Sequence, residues 1–191
     1  MTASRDSAAP PWSIRLLSEL DASDARAQAL VGDLTPTQLN WTPAGGGWSV
    51  GQCLDHLCVA NDVYIPAIDA SLEAAPTGVV HEITPGWFGR WFIRNHIEPS
   101  ATMKRGRAPR KIVPASRVEP SVLERFIRGN LRARTLVLRA AKHDVNRLRF
   151  KNPFVRGIRF TAGTGLEILL KHQRRHLLQG ERVRQRAEFP K

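Results

Sequence analysis

His172 and His176 stand four residues apart in "GLEILLKHQRRHLLQGERVRQ". On a helix that spacing puts both side chains on one face, with Cβ atoms about 5–6 Å apart, so two imidazoles can chelate one metal ion with little backbone strain. The pair reads either as half of a metal site or as two polar side chains on a solvated face. Gln173 occupies the place where the HExxH pattern needs its general-base glutamate, which argues against a zincin-type protease. Two ligands make a weak site, so a third has to come from elsewhere in the fold. His81 and His96 fall in an irregular stretch, and His143 falls at a helix C-terminus, where a partial positive charge suits the dipole. His56 is different. In "WSVGQCLDHLCVAND" it sits inside a helical run with apolar residues on the neighbouring turns. One histidine from one helix and a pair from another is how helix bundles build internal metal sites. On spacing alone, three histidines with no shared role remain the alternative.

The elements that would carry these residues can be read from periodicity. Ile14, Leu17, Leu20, Ala27 and Leu30 recur at three- and four-residue steps and predict a first helix over about 12–33. The Pro- and Gly-rich stretch that follows is a loop with a short helical turn capped by Thr35 before Pro36. A second helix starts near Ser49, carries Val50, Leu54, Leu57, Tyr64 and Ile68 towards Leu72, and is expected to kink at Pro66. Residues 76–118 form a long, irregular, basic insertion. Within it "TPGWFGRWFIRNHI" predicts a short helix or lid, and "MKRGRAPRKIVPASRVEP" a loop or partly disordered segment. A third helix begins after Pro120, presents Leu123, Phe126, Ile127, Leu131 and Leu138, and ends near His143. The fourth is read as capped by Thr164, with Glu167 completing a capping box, and carries Leu166, Leu169, Leu170, Leu177 and Val183. Without a hairpin signal or a strand–helix alternation, the pattern predicts one all-α domain over 1–191, a four-helix bundle.

Composition narrows the function classes. A net charge of +12 permits nucleic-acid or polyanion binding, but the arginines fall between apolar positions at helical spacing, as in "ERFIRGNLRARTLVLR", so a solvated helix face is the simpler reading. No apolar run reaches the ~18–20 residues that span a bilayer, and "MTASRDSAAPPW" has no apolar signal-peptide core, so no membrane association and a cytoplasmic location are expected. Cys53 and Cys58, five apart on one helix, point in different directions and read as buried thiols rather than a disulfide.

Two segments carry a family resemblance. "LNWTPAGGGWSVGQCLDHLCVAND" resembles the segment that opens the second helix in the DinB/YfiT superfamily, and "NPFVRGIRFTAGTGLEILLKHQRRHLLQGERVR" resembles its closing H-x-x-x-H helix, so that the likeness spans about 36–186. It implies a DinB/YfiT-like four-helix bundle that holds a divalent metal, nickel or zinc, through His56, His172 and His176. Three imidazoles leave a coordination position open, the pattern of a catalytic zinc. The resemblance further implies a small-molecule substrate and a reaction of one of two kinds, transfer to a low-molecular-weight thiol or metal-assisted hydrolysis. It implies a homodimer as well. Around the three histidines, Gln179 is expected to reach a metal-bound water, Asp55 and Asp62 to be solvated, and Cys53 to lie one turn from His56. Trp41 and Trp48 are expected to pack at helix starts. Arg174, Arg175 and Arg182 are read as solvated, with attraction of an anionic substrate as the alternative. "GWFGRWF" is either a lid or a subunit contact, and the rival functions are a basic module for nucleic acid or another polyanion, or a family member with a vestigial site.

Overall fold

The computed structural model describes residues 9–98 and 108–191. Four long helices form the bundle: α1 (Pro11–Val31), α3 (Val50–Asp69), α5 (Val122–Ala140) and α6 (Ala162–Arg184), with the short α2 (Pro36–Asn40) and α4 (Trp87–Phe92) in the connections. Local chemistry sets their starts. Thr35 with Gln38 and Ser49 with Gln52 each form a reciprocal capping box, satisfying two otherwise orphaned N–H groups at α2 and α3. α3 runs through Pro66 without interruption, and α1 opens on Pro11, where a missing N–H costs nothing.

Ion pairs along the helices reveal the topology. Arg15 meets Glu167 and Arg26 meets Glu181, so α1 and α6 run parallel. Asp55, Asp62 and Asp69 meet Arg125, Arg132 and Arg139 in register, so α3 and α5 also run parallel. Asp24 bonds Asn130, whereas the earlier Asp21 meets the later Arg134, which makes α1 antiparallel to α5. Each long helix packs mainly on two neighbours, in the cyclic order α1–α5–α3–α6, so α1 sits diagonally across from α3 and α5 from α6, while α3 and α5 are neighbours. Because α3 and α5 are parallel, the chain between them must return the length of a helix, about 30 Å for twenty residues. That return is the irregular insertion of 76–118. It contains α4, a π-helical turn (Ile93–Ile97) and a 3-10 turn (Arg110–Ile112); residues 99–107 of the predicted basic loop lie outside the described residues.

Two sequence expectations are corrected. The connector before α6 is an antiparallel hairpin, β1 (Arg149–Lys151) with β2 (Arg159–Thr161), where Phe150 faces Phe160. Its strands are three residues long and its loop lacks the two-residue Asn-Gly or Asp-Gly turn that announces a hairpin. Because β2 leads straight into α6, the helix starts at Ala162 and Thr161 is its cap, accepting from the N–H of Thr164. Glu167 is therefore free to bond Arg15 of α1 instead of closing a capping box.

The apolar interior is two clusters. One includes Leu16, Leu20, Ile68, Phe150 and Leu166; the other Leu30, Leu54, Leu57, Phe126 and Leu177. A buried polar chain also crosses the bundle: Gln173 Nε2 donates to Asn130 Oδ1 at 2.7 Å, and Asn130 Nδ2 to Asp24 Oδ1 at 2.6 Å. No described helix is long and apolar enough to cross a membrane.

Candidate metal centre

α3 and α6 pack antiparallel, which brings His56 beside the turn that carries His172 and His176. One ring nitrogen of each histidine lies within 4.8 Å of the others, and the ring centroids are 4.5–4.9 Å apart. His56 and His176 are buried, and His172 is half-buried at the edge of the cluster. His56 Nε2 is 3.1 Å from His172 Nε2. Two nitrogens bound tetrahedrally to one zinc at about 2.0–2.1 Å are about 3.3–3.4 Å apart, so this spacing fits a shared ion.

Partners outside the triad set the tautomers. His56 Nδ1–H donates to the Ile112 carbonyl at 2.6 Å, and His176 Nδ1–H donates to Gln179 Oε1 at 2.9 Å. Both bonds leave Nε2 as the atom with a free lone pair. Burial pulls the pKa of all three imidazoles down, well below the usual value for His172 and His176. The neighbouring rings add to this for His172 and His176, and the Arg175 guanidinium for all three. Neutral imidazoles are the form that binds metal.

The surroundings depart from sequence expectation in four places. Gln179 contacts the candidate ligand His176 directly rather than reaching past it. Trp48 is part of the site, its ring 4.7 Å from that of His56 and 5.6 Å from that of His176, whereas Trp41 packs on Phe189 as a helix-start residue. Asp55 is buried rather than solvated: its carboxylate takes 2.8 Å and 2.6 Å hydrogen bonds from the N–H of Ala115 and from Arg125 Nη1. Arg175 is half-buried, while Arg174 and Arg182 are exposed as expected. Cys53 stays in the core with its thiol pushed up to about 12 by burial, and lies outside the histidine cluster. His81, His96 and His143 are not brought to it; His143 bonds the Pro76 carbonyl.

Asp55 exposes what sequence reading missed. The strap leading from the 3-10 turn to α5 is fastened by Asp55 and Gln52 at Ala115, and by Asn40 at both the N–H and the carbonyl of Val118. That fastening holds the Ile112 carbonyl against His56. An aspartate directly before a candidate ligand was the available signal, but its partners lie some sixty residues away in the chain.

A bundle with a three-histidine cluster of this kind defines a class of proteins. The family model of the DinB superfamily matches residues 19–179, and the chain belongs to that superfamily. Among solved structures it is similar to YfiT from Bacillus subtilis, described as "a probable metal-dependent hydrolase with an unusual four-helix bundle topology". The TM-score is 0.61 at 18% identity over 99% of this chain and 95% of that one, which shows a shared fold. No protein of curated function matches the chain.

Proposed function

We propose that this protein is a metal-dependent hydrolase in which His56, His172 and His176 hold one divalent ion, zinc or nickel. The observation that supports this most directly is the convergence of three neutral imidazoles, two of them with Nδ1 already committed to a protein oxygen. The description of YfiT agrees with it. An ion with three imidazole ligands and an open position lowers the pKa of bound water to about 7, or binds a thiol as thiolate. The chain's own residues supply the rest. Ile112 and Gln179 lock His56 and His176 in orientation, and Trp48 covers one flank of both rings. Transfer to a low-molecular-weight thiol is the other outcome that such a centre supports, and a substrate screen with and without thiol separates the two.

The test is elemental analysis of untagged, chelator-free protein. Wild type is expected to carry close to one zinc or nickel per chain, and His56→Ala and His172→Ala to lose most of it while retaining helicity. Full occupancy in His172→Ala would overturn the three-histidine assignment.

A polyanion-binding reading draws on a separate feature. Lys111, Lys151, Arg156 and Arg159 line an open cleft of about 710 Å³ beside the hairpin. It requires DNA or RNA binding that weakens steeply with salt, and no binding at low salt removes it. We further propose a cytoplasmic homodimer, for which the exposed Trp87 and Trp91 of α4 offer an apolar face; sedimentation measures it.

A further inference from the structure

Six lysine and arginine side chains are half-buried among the described residues: Arg26, Arg125, Arg134, Lys171, Arg175 and Arg184. Five of them pair with carboxylates. Arg26 meets Glu181, Arg125 meets Asp55, Arg134 meets Asp21 and Asp24, Lys171 meets Glu98, and Arg184 meets Asp33. Arg175 has no carboxylate partner among the described residues. Its one hydrogen bond among the described residues runs from Nη1 to the His96 carbonyl at 3.0 Å. A guanidinium taken partly out of water without a counter-charge is costly, and the fold elsewhere avoids that state.

Position adds to the anomaly. Arg175 lies three residues after His172 and four before Gln179, so it borders the face of α6 that carries the two candidate ligands. Nη1 is committed to His96, and among the described residues neither Nε nor Nη2 makes a hydrogen bond. The Nε–Nη2 edge of Arg26 grips Glu181 at 2.9 and 2.8 Å, which is how a planar fork takes a carboxylate in two parallel bonds.

We infer that Arg175 binds a carboxylate of the substrate beside the histidine cluster, so that the molecule acted on is a small organic acid held at a fixed distance from the metal position. This rests on the proposed metal site for its chemistry, but the carboxylate pocket belongs to Arg175 alone.

The experiment compares 3-mercaptopropionate with its neutral amide, 3-mercaptopropanamide. Affinity is read from the visible spectrum of cobalt-loaded protein and, separately, by ligand-observed NMR on metal-free protein. Wild type is expected to prefer the acid by about tenfold or more, the strength of a charge-assisted hydrogen bond. Arg175→Gln brings the two probes within about twofold of each other, and Arg175→Lys keeps a reduced preference. Arg174→Gln removes the same charge from an exposed neighbour and leaves the preference intact, which separates contact from the general attraction of a basic protein. Equal affinity for acid and amide in wild type, or a preference that survives Arg175→Gln, overturns the inference. Should wild type take up no cobalt yet keep an Arg175-dependent preference for the acid, the metal reading falls and the carboxylate site stands. Should cobalt bind with no such preference, the reverse holds. If Arg175→Gln fails to fold, the acid-to-amide ratios of wild type and Arg175→Lys decide the question: a smaller ratio in the lysine variant supports the inference, and an unchanged one overturns it.

Discussion

Each histidine of the candidate centre is useful only because another group constrains it. His56 illustrates this: its Nδ1 proton is held by a backbone carbonyl, and that carbonyl is held by a strap whose anchor is the adjacent Asp55. Outer partners of metal ligands typically contribute 10–100-fold to affinity, so Asp55→Ala is expected to weaken zinc binding by about that factor while His56 remains in place; competition against a chromophoric chelator measures it. The imidazoles also tie stability to pH. Their folded pKa values lie below 6.5, so the unfolded chain binds more protons than the fold once the pH drops below about 6.5. The metal-free protein should therefore lose stability as pH falls from 6.5 towards the lowered folded values, and gain nothing from these groups above it. Thermal melts of a His56→Gln/His172→Gln/His176→Gln variant should show a flatter decline over that window. An equal slope in both proteins would assign the acid sensitivity to other groups.

At the scale of the elements, the parallel pairing of α3 with α5 and of α1 with α6 depends on matched polar contacts as well as apolar ones. The buried chain Asp24–Asn130–Gln173 links α1, α5 and α6, and Asn130 is fully buried at its centre. Asn130→Ala would leave both Asp24 Oδ1 and Gln173 Nε2 without the partner they have now. Each such buried group costs about 1–3 kcal/mol, so destabilisation in at least that range is expected from urea unfolding. A loss below about 0.5 kcal/mol would mean that water replaces the asparagine without penalty. The hairpin and α6 meet more closely still. A Cβ on Gly165 would lie 2.6 Å from Phe150 Cε1, so the helix can approach the hairpin only because residue 165 has no side chain. Gly165→Ala is expected to cost about 1–3 kcal/mol through overpacking, measurable in the same experiment.

For the molecule as a whole, the proposed metal site would couple binding to folding. The two helices that carry the candidate ligands are far apart in sequence, so an ion held by both would stabilise the folded chain over the unfolded one. Free zinc at about 100 times its dissociation constant should add about 2.7 kcal/mol, seen as a rise in melting temperature that His172→Ala abolishes. The high positive charge follows a related logic. Much of it along the helices is spent in pairs that join one helix to another: Arg134 ties α5 to Asp21 and Asp24 of α1, and Arg184 ties α6 to Asp33 just beyond α1. The cationic side chains of the cleft beside the hairpin, Lys111, Lys151, Arg156 and Arg159, and Arg175 make no carboxylate pair among the described residues.

Four long helices, the cap at Thr35, the start of α3 near Ser49 and the three candidate ligands were all legible in the sequence, because helical period, capping chemistry and i,i+4 spacing are local properties. The HxxxH pair needed only one helix to be noticed, whereas His56 was singled out by its apolar helical run and assigned to the same site through the resemblance of two segments. The hairpin was missed because its strands are short and its turn atypical, and Thr164 was taken for the cap because the strand before it could not be seen. Tertiary structure alone decided the parallel pairing of α3 with α5, the strap that orients His56, the place of Trp48 against the imidazoles and the burial of Asp55. It also distinguished Arg175 from the other arginines of α6. Each of these depends on groups far apart in sequence whose meeting no local period records.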